Sequence, residues 1–186
     1  MEKLLRDPAF HKLLEKVDSD MTAKVQSQGC PYCQARLHRS DYDRKPRGCP
    51  DWDRRYSLCC SRPGCRKRTT PPSVRFLGRK VYASVVVILL SAMMYGLGKE
   101  RVKRLQDELG VDRRTLNHWR TWWKETFLNS VFWKAKRSLF RRPVDTETMP
   151  LGLITAFTAD NRQGLLNLLM FLSPITTGSC QEVLAI

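Results

Sequence analysis

Negative charge is what this chain has least of. Its 186 residues hold 18 aspartates and glutamates against 33 lysines and arginines, a formal net charge of +15. After residue 142 only Asp145, Glu147, Asp160 and Glu182 are acidic. None lies in a strand-helix-strand context that would aim paired carboxylates at two metal ions, so no catalytic residue is assigned and an enzyme is not expected. Histidine is scarce as well, with three in the chain, and His118 beside Trp119 reads as a surface residue rather than a ligand. The N-terminal stretch shows no secretory leader; thiols are therefore expected reduced, and disulfides are disfavoured. The first 80 residues are too polar for a large core, which makes a metal staple there physically sensible.

Charge is also missing locally. Residues 81–98 carry none, and eighteen helical residues rise about 27 Å, the lower edge of a membrane span. Both flanks are basic, which gives no orientation bias, and the segment holds two serines and two tyrosines. A buried central helix, without membrane association, is the expectation. On either side of it the basic charge is concentrated in two blocks: residues 30–80 are +10 and residues 99–142 are +8, whereas residues 1–29 are neutral and residues 143–186 are −3. Two basic surfaces suit a polyanion, nucleic acid first.

What is abundant is cysteine in one place. Six of the seven cysteines fall between positions 30 and 65. Cys30-Pro31-Tyr32-Cys33 and Cys60-Ser61-Arg62-Pro63-Gly64-Cys65 each bring two thiolates to one side of a turn, as a tetrahedral zinc site requires. Cys30, Cys33, Cys60 and Cys65 are the expected Zn²⁺ ligands. Cys59 is the reserve ligand, because only one of two adjacent strand residues need face the metal, and Cys49 and His38 are weaker substitutes. Arg54 to Leu58 can enter the second loop as a strand, and Arg66, Lys67 and Arg68 follow it as candidate phosphate contacts. Tyr42, Trp52 and Tyr56, interleaved with arginines, suit either nucleic-acid stacking or the cover of a thin core.

Helical signals flank this module. Asp7 can cap a helix over residues 7–27 with Pro8 in its first turn, and Phe10, Leu13, Leu14, Val17 and Met21 recur at helical spacing. Downstream, Val102, Leu105 and Leu109 mark one helix face, Gly110 can end it, and Asp112 can cap the next. That next helix is expected to bury Leu116, Trp119 and Trp123 while showing Arg113, Arg114, Asn117, Arg120, Thr121 and Lys124. Helix, short glycine turn and basic, amide-bearing second helix make a helix-turn-helix pattern, in which arginine can read guanine and asparagine adenine. Trp122, Phe127, Phe132 and Trp133 read as packing. Residues 146–150 read as a linker before an apolar helix at residues 165–172 that Pro174 closes, with Cys180 beyond it as a small hydrophobe.

The expected fold is mainly α with a small β zinc ribbon. It runs as an N-terminal helix (1–29), the ribbon (30–78), a three-helix helix-turn-helix unit (79–142), and a linker with a C-terminal docking helix (143–186).

Cys30-Pro31-Tyr32-Cys33, residues 41–48 and Gly64-Cys65-Arg66-Lys67-Arg68-Thr69-Thr70-Pro71-Pro72, with the helix-turn-helix after them, resemble the zinc-ribbon and helix-turn-helix modules of bacterial insertion-sequence transposases and their accessory proteins. The resemblance covers roughly residues 30–125. It implies binding to double-stranded DNA at element ends or promoters, a transposase or another mobile-element protein as partner, self-association, and a cytoplasmic, nucleoid-associated location. The carboxylate domain that cuts DNA in that family has no counterpart here, which points to an accessory or regulatory role. A transcriptional regulator unrelated to transposition, a truncated transposase or nuclease with an unrecognised active site, and an RNA-binding or assembly protein are the competing readings.

Overall fold

The computed structural model describes residues 7–43, 54–77, 87, 88, 91, 100, 103, 107, 111 and 113–177. It is mainly helical with a small antiparallel sheet. Helix α1 spans Pro8–Gln28. Its N-terminus is fixed as the sequence dictates: Asp7 accepts from the backbone N–H of Ala9 and Phe10, and proline occupies the first turn. It ends at Gly29, whose φ of 78° only glycine adopts without strain. Phe10 and Leu14 are buried and Val17 and Met21 are partly buried against the same core. Leu13, expected on that face, is 39 % exposed; the third buried position of the stripe is the polar Asp18.

Five short strands follow: β1 (Leu37–Arg39), β2 (Tyr42–Asp43), β3 (Arg54–Arg55), β4 (Leu58–Cys60) and β5 (Arg68–Thr69). Strand β4 lies between β1 and β5, antiparallel to both, and β2 pairs antiparallel with β3. Cross-strand partners are Leu37 with Cys60, His38 with Cys59 and Leu58 with Thr69. The period of two decides the faces. Leu37, Leu58 and Cys60 are buried on one face, whereas His38 and Arg68 are exposed and Cys59 half-buried on the other. The resulting core is small and rich in sulfur: Cys30, Leu37, Leu58 and Cys60, edged by Val25, Cys33, Ala35 and Cys65.

The other core is larger and gathers residues from distant parts of the chain. Phe10 and Leu14 meet Val74, Leu77, Val87 and Ile88, then Leu116, Trp119, Trp123 and Phe127, and finally Leu153, Leu165 and Leu169. Val87, Ile88 and Ser91 are helical and buried, and they are the described residues of the uncharged segment. No helix among the described residues is long and apolar enough to cross a membrane.

Helix α2 spans Arg113–Thr121 and runs straight into a π-helical turn, Trp122–Phe127. Within it Trp123 is fully buried, and the partly buried Trp122 packs on it edge-on at 4.7 Å between ring centroids. Ser130 caps α3 (Val131–Lys136) by accepting from Trp133 N–H. Helices α4 (Leu151–Ala156) and α5 (Arg162–Leu172) follow, and Phe171 of α5 packs at a tilt on Phe132 at 5.1 Å and edge-on against Phe140 at 5.4 Å between ring centroids. Residues 146–150, read from the sequence as a linker, form a turn that ends in the fully buried Met149, because Asp145 accepts from Glu147 N–H and Thr148 Oγ1 and folds the chain back.

Cys49, Trp52, Val102, Leu105, Leu109, Gly110, Asp112 and Cys180 lie outside the described residues, as do most of residues 81–98. Glu100, Lys103 and Asp107 are helical and exposed, at a spacing that puts all three on one side of a helix.

Candidate metal centre

The turns that bear the cysteines are built alike. In the first, Gln34 N–H donates to the Cys30 carbonyl at 2.8 Å, Cys30 N–H donates to the Ala35 carbonyl at 2.9 Å, and Gln34 takes a left-handed φ of 58°. In the second, Arg66 N–H donates to the Arg62 carbonyl at 3.1 Å, Cys60 N–H donates to the Lys67 carbonyl at 3.0 Å, and Arg66 takes a φ of 45°. Each second cysteine therefore precedes a left-handed residue that turns the chain back into the sheet. The wider spacing from Cys60 to Cys65 arises because the turn begins at Arg62, two residues after the ligand, whereas the first turn begins at Cys30 itself.

These turns converge. Sγ of Cys30 lies 3.8 Å from Sγ of Cys65, and Sγ of Cys33 lies 3.4 Å from Sγ of Cys60. All four sulfurs fall within 4.8 Å of one another. A tetrahedron with metal–sulfur arms of about 2.3 Å has edges of about 3.8 Å, so this spacing is that of a ligand set around one ion. It is far from the ~2.05 Å of a disulfide, and the thiols are free. The four cysteines can therefore hold a metal ion.

Electrostatics within the cluster favour a cation. Burial raises the Cys30 thiol, but the backbone N–H groups of Tyr32 and Cys33 and the thiols of Cys33 and Cys60 outweigh it and bring Cys30 down to about 7. For Cys60, burial dominates; the Arg62 N–H lowers it only in part, the neighbouring thiols of Cys33, Cys30 and Cys65 add to the rise, and the result is about 12. One thiolate is stabilised by backbone dipoles, and its negative charge discourages the next. Four thiolates together need a positive ion between them.

Cys59 is excluded by the pleat. It sits on the outer face of β4, its Sγ 3.6 Å from the Arg66 carbonyl, and His38 across the ladder is exposed on that same face.

Of the basic residues singled out in the sequence, Arg66, Lys67 and Arg68 are exposed beside the second cysteine turn. Arg113, Arg114, Asn117, Arg120 and Thr121 are exposed on α2, opposite the buried Leu116 and Trp119. Lys124 departs from that row and is half-buried, because the π turn shifts its phase relative to α2. Tyr56 is not a free stacking surface: its hydroxyl donates to Glu15 at 3.1 Å, and the guanidinium groups of Arg39 and Arg75 cover its ring at 4.5 and 4.9 Å.

Two further arginines of the first basic block are internal. Arg55 is 2 % exposed and donates to the carbonyls of Pro71 and Thr176, while Arg75 is 3 % exposed and binds Asp18 and the Arg54 carbonyl. Sequence reasoning counted both toward a polyanion surface. The signal that could have revealed Arg75 is Asp18, an acid in line with Phe10 and Leu14 on the buried side of α1; the carbonyl partners of Arg55 leave no such mark in the sequence. Comparison of the chain with family models, with curated proteins and with solved structures finds no match.

Proposed function

We propose that the chain is a zinc-dependent, sequence-specific binder of double-stranded DNA, in which Cys30, Cys33, Cys60 and Cys65 hold Zn²⁺ as a zinc ribbon and α2 is the reading helix of a helix-turn-helix unit. Four thiolates at tetrahedral spacing are the donor set of structural zinc, and the ion's role is to fold the ribbon rather than to react. The observation that carries the DNA reading is the two-sidedness of α2. Leu116 and Trp119 anchor one side in the core, which holds the helix rigidly, and Arg113, Arg114, Asn117 and Arg120 stand exposed on the other. Arg66, Lys67 and Arg68 supply phosphate contacts from the ribbon. In this reading the protein is not an enzyme but an accessory or regulatory component of a transposition system, nucleoid-associated in the cytoplasm, partnered by a transposase or another mobile-element protein.

The test compares Asn117→Ala with Lys67→Ala on a selected duplex and on random duplex. Loss of a base-reading amide is expected to cost about 1–3 kcal/mol on the selected site and little on random DNA. Loss of a phosphate contact is expected to weaken both alike and to lower the salt slope by about 0.9. Duplex affinity that does not change with salt rejects the proposal.

A further inference from the structure

Tyr32 is the residue of the cysteine module that packing does not explain. It lies between the ligand candidates Cys30 and Cys33 and is 61 % exposed. Its loop is a tight turn that Gln34 N–H closes on the Cys30 carbonyl at 2.8 Å and Cys30 N–H ties to the Ala35 carbonyl at 2.9 Å. A large ring on a fixed loop has only two side-chain torsions to lose on binding, so little ordering cost opposes a contact there.

The ring also has a cation beside it. Nζ of Lys67 stands 4.0 Å from the ring centroid, reaching over from the second cysteine turn. Arg36, Arg62 and Arg66 are exposed on or beside the same two turns and Arg68 at the start of β5, and residues 30–36 and 59–70 contain no carboxylate. The convergence of the two cysteine turns brings an aromatic face and a group of cations into one place. Phosphate contact alone has no use for the aromatic face. Stacking on a base does, and in an intact duplex the base faces are already covered by their neighbours.

We propose that Tyr32 and Lys67 form a binding site for an unpaired DNA strand, with a base stacked on the face of the Tyr32 ring that Lys67 does not cover and Lys67 on an adjacent phosphate. This rests on the DNA-binding reading above and extends it: the ribbon engages opened or single-stranded DNA while α2 engages duplex. Such a division suits DNA whose end or junction is partly melted.

The full-length, zinc-loaded chain tests it. Affinities are measured for a single strand carrying 2-aminopurine and for the duplex of the same sequence, using wild type, Tyr32→Ala, Tyr32→Leu, Tyr32→Phe and Lys67→Ala. Tyr32→Ala and Tyr32→Leu are expected to lose about fivefold or more on the single strand, the size of one base–aromatic stack, while duplex affinity stays within about twofold. Tyr32→Phe, which keeps the π face, is expected to hold wild-type affinity and to quench 2-aminopurine as wild type does. Lys67→Ala is expected to weaken both forms and reduce the salt slope. Zinc content measured for each variant guards against misfolding; if Tyr32→Ala loses zinc, the comparison of leucine with phenylalanine decides. Equal losses on both DNA forms, or none on the single strand, overturn the stacking assignment while leaving the duplex reading intact. Failure of wild type to bind either form overturns both.

Discussion

Arg75 Nε donates to Asp18 Oδ2 at 2.9 Å with both side chains almost wholly buried, 3 % and 1 % exposed. The other Asp18 oxygen accepts from Val74 N–H at 2.7 Å, and Ser73 Oγ donates to Oδ2 at 2.6 Å. Arg75 also donates to the Arg54 carbonyl of β3, and Ser73 N–H donates to Thr176 Oγ1 after α5. One buried carboxylate thus fastens the strap at residues 73–77 to α1 and, through that strap, links the β2–β3 pair to the end of the helical core.

Removing one member of such a pair leaves the other buried and uncompensated. Asp18→Ala is expected to cost about 3–5 kcal/mol, whereas the double variant Asp18→Ala with Arg75→Met recovers part of the loss because no charge is then stranded. Urea unfolding of the two single variants and the double variant measures the coupling. Additive losses would show that the two side chains do not act as a pair.

The pleat of β4 predicts an asymmetry between adjacent cysteines. Cys60→Ser is expected to abolish stoichiometric zinc and unfold the sheet, and Cys59→Ser to retain one zinc per chain. Metal analysis of the purified variants reads this directly. Zinc lost from the Cys59 variant and kept by the Cys60 variant would transfer the ligand role.

Metal affinity is expected to rise with pH, since only thiolates bind. In the metal-free cluster Cys60, pushed up to about 12, is protonated throughout the neutral range, so binding must displace its proton at any working pH. Cys30, held at about 7 from an ordinary 9.0, is ionised above neutrality and protonated below it. Lowering pH through 7 therefore adds about one further proton to those displaced, and the plot of log affinity against pH should steepen below 7. Competition with a chromophoric chelator between pH 6 and 8 provides the curve. A constant slope would place the titration of Cys30 elsewhere.

Close packing of backbone predicts which glycines are irreplaceable. A Cβ on Gly164 would fall on the Thr158 carbonyl oxygen, and one on Gly152 on the Asp145 carbonyl oxygen, whereas a Cβ on Gly64 meets nothing within 4 Å. Gly164→Ala and Gly152→Ala are each expected to destabilise by about 1–3 kcal/mol or more, and Gly64→Ala to be nearly neutral. Thermal unfolding of the three variants tests the order.

What the sequence determined by itself was local. Asp7 with Pro8 announces the start of α1, the cysteine spacing announces the paired turns, and Leu116, Trp119 and Trp123 announce the buried side of α2 and of the π turn that continues it, because each depends only on residues within a turn or two. Strand alternation told that only one of Cys59 and Cys60 need face the metal, but which one was decided by the register of β4 against β1. Long-range partners were not legible. Whether an arginine faces solvent or a buried carboxylate depends on chain segments brought together from afar, so the composition of residues 30–80 counted Arg55 and Arg75 as surface charge. Only the tertiary structure joins Arg75 to Asp18, 57 positions apart, and Arg55 to Thr176, 121 positions apart. Likewise only the tertiary structure brings Lys67 over Tyr32, because the sheet and the four cysteines, not the local sequence of either turn, set one turn against the other.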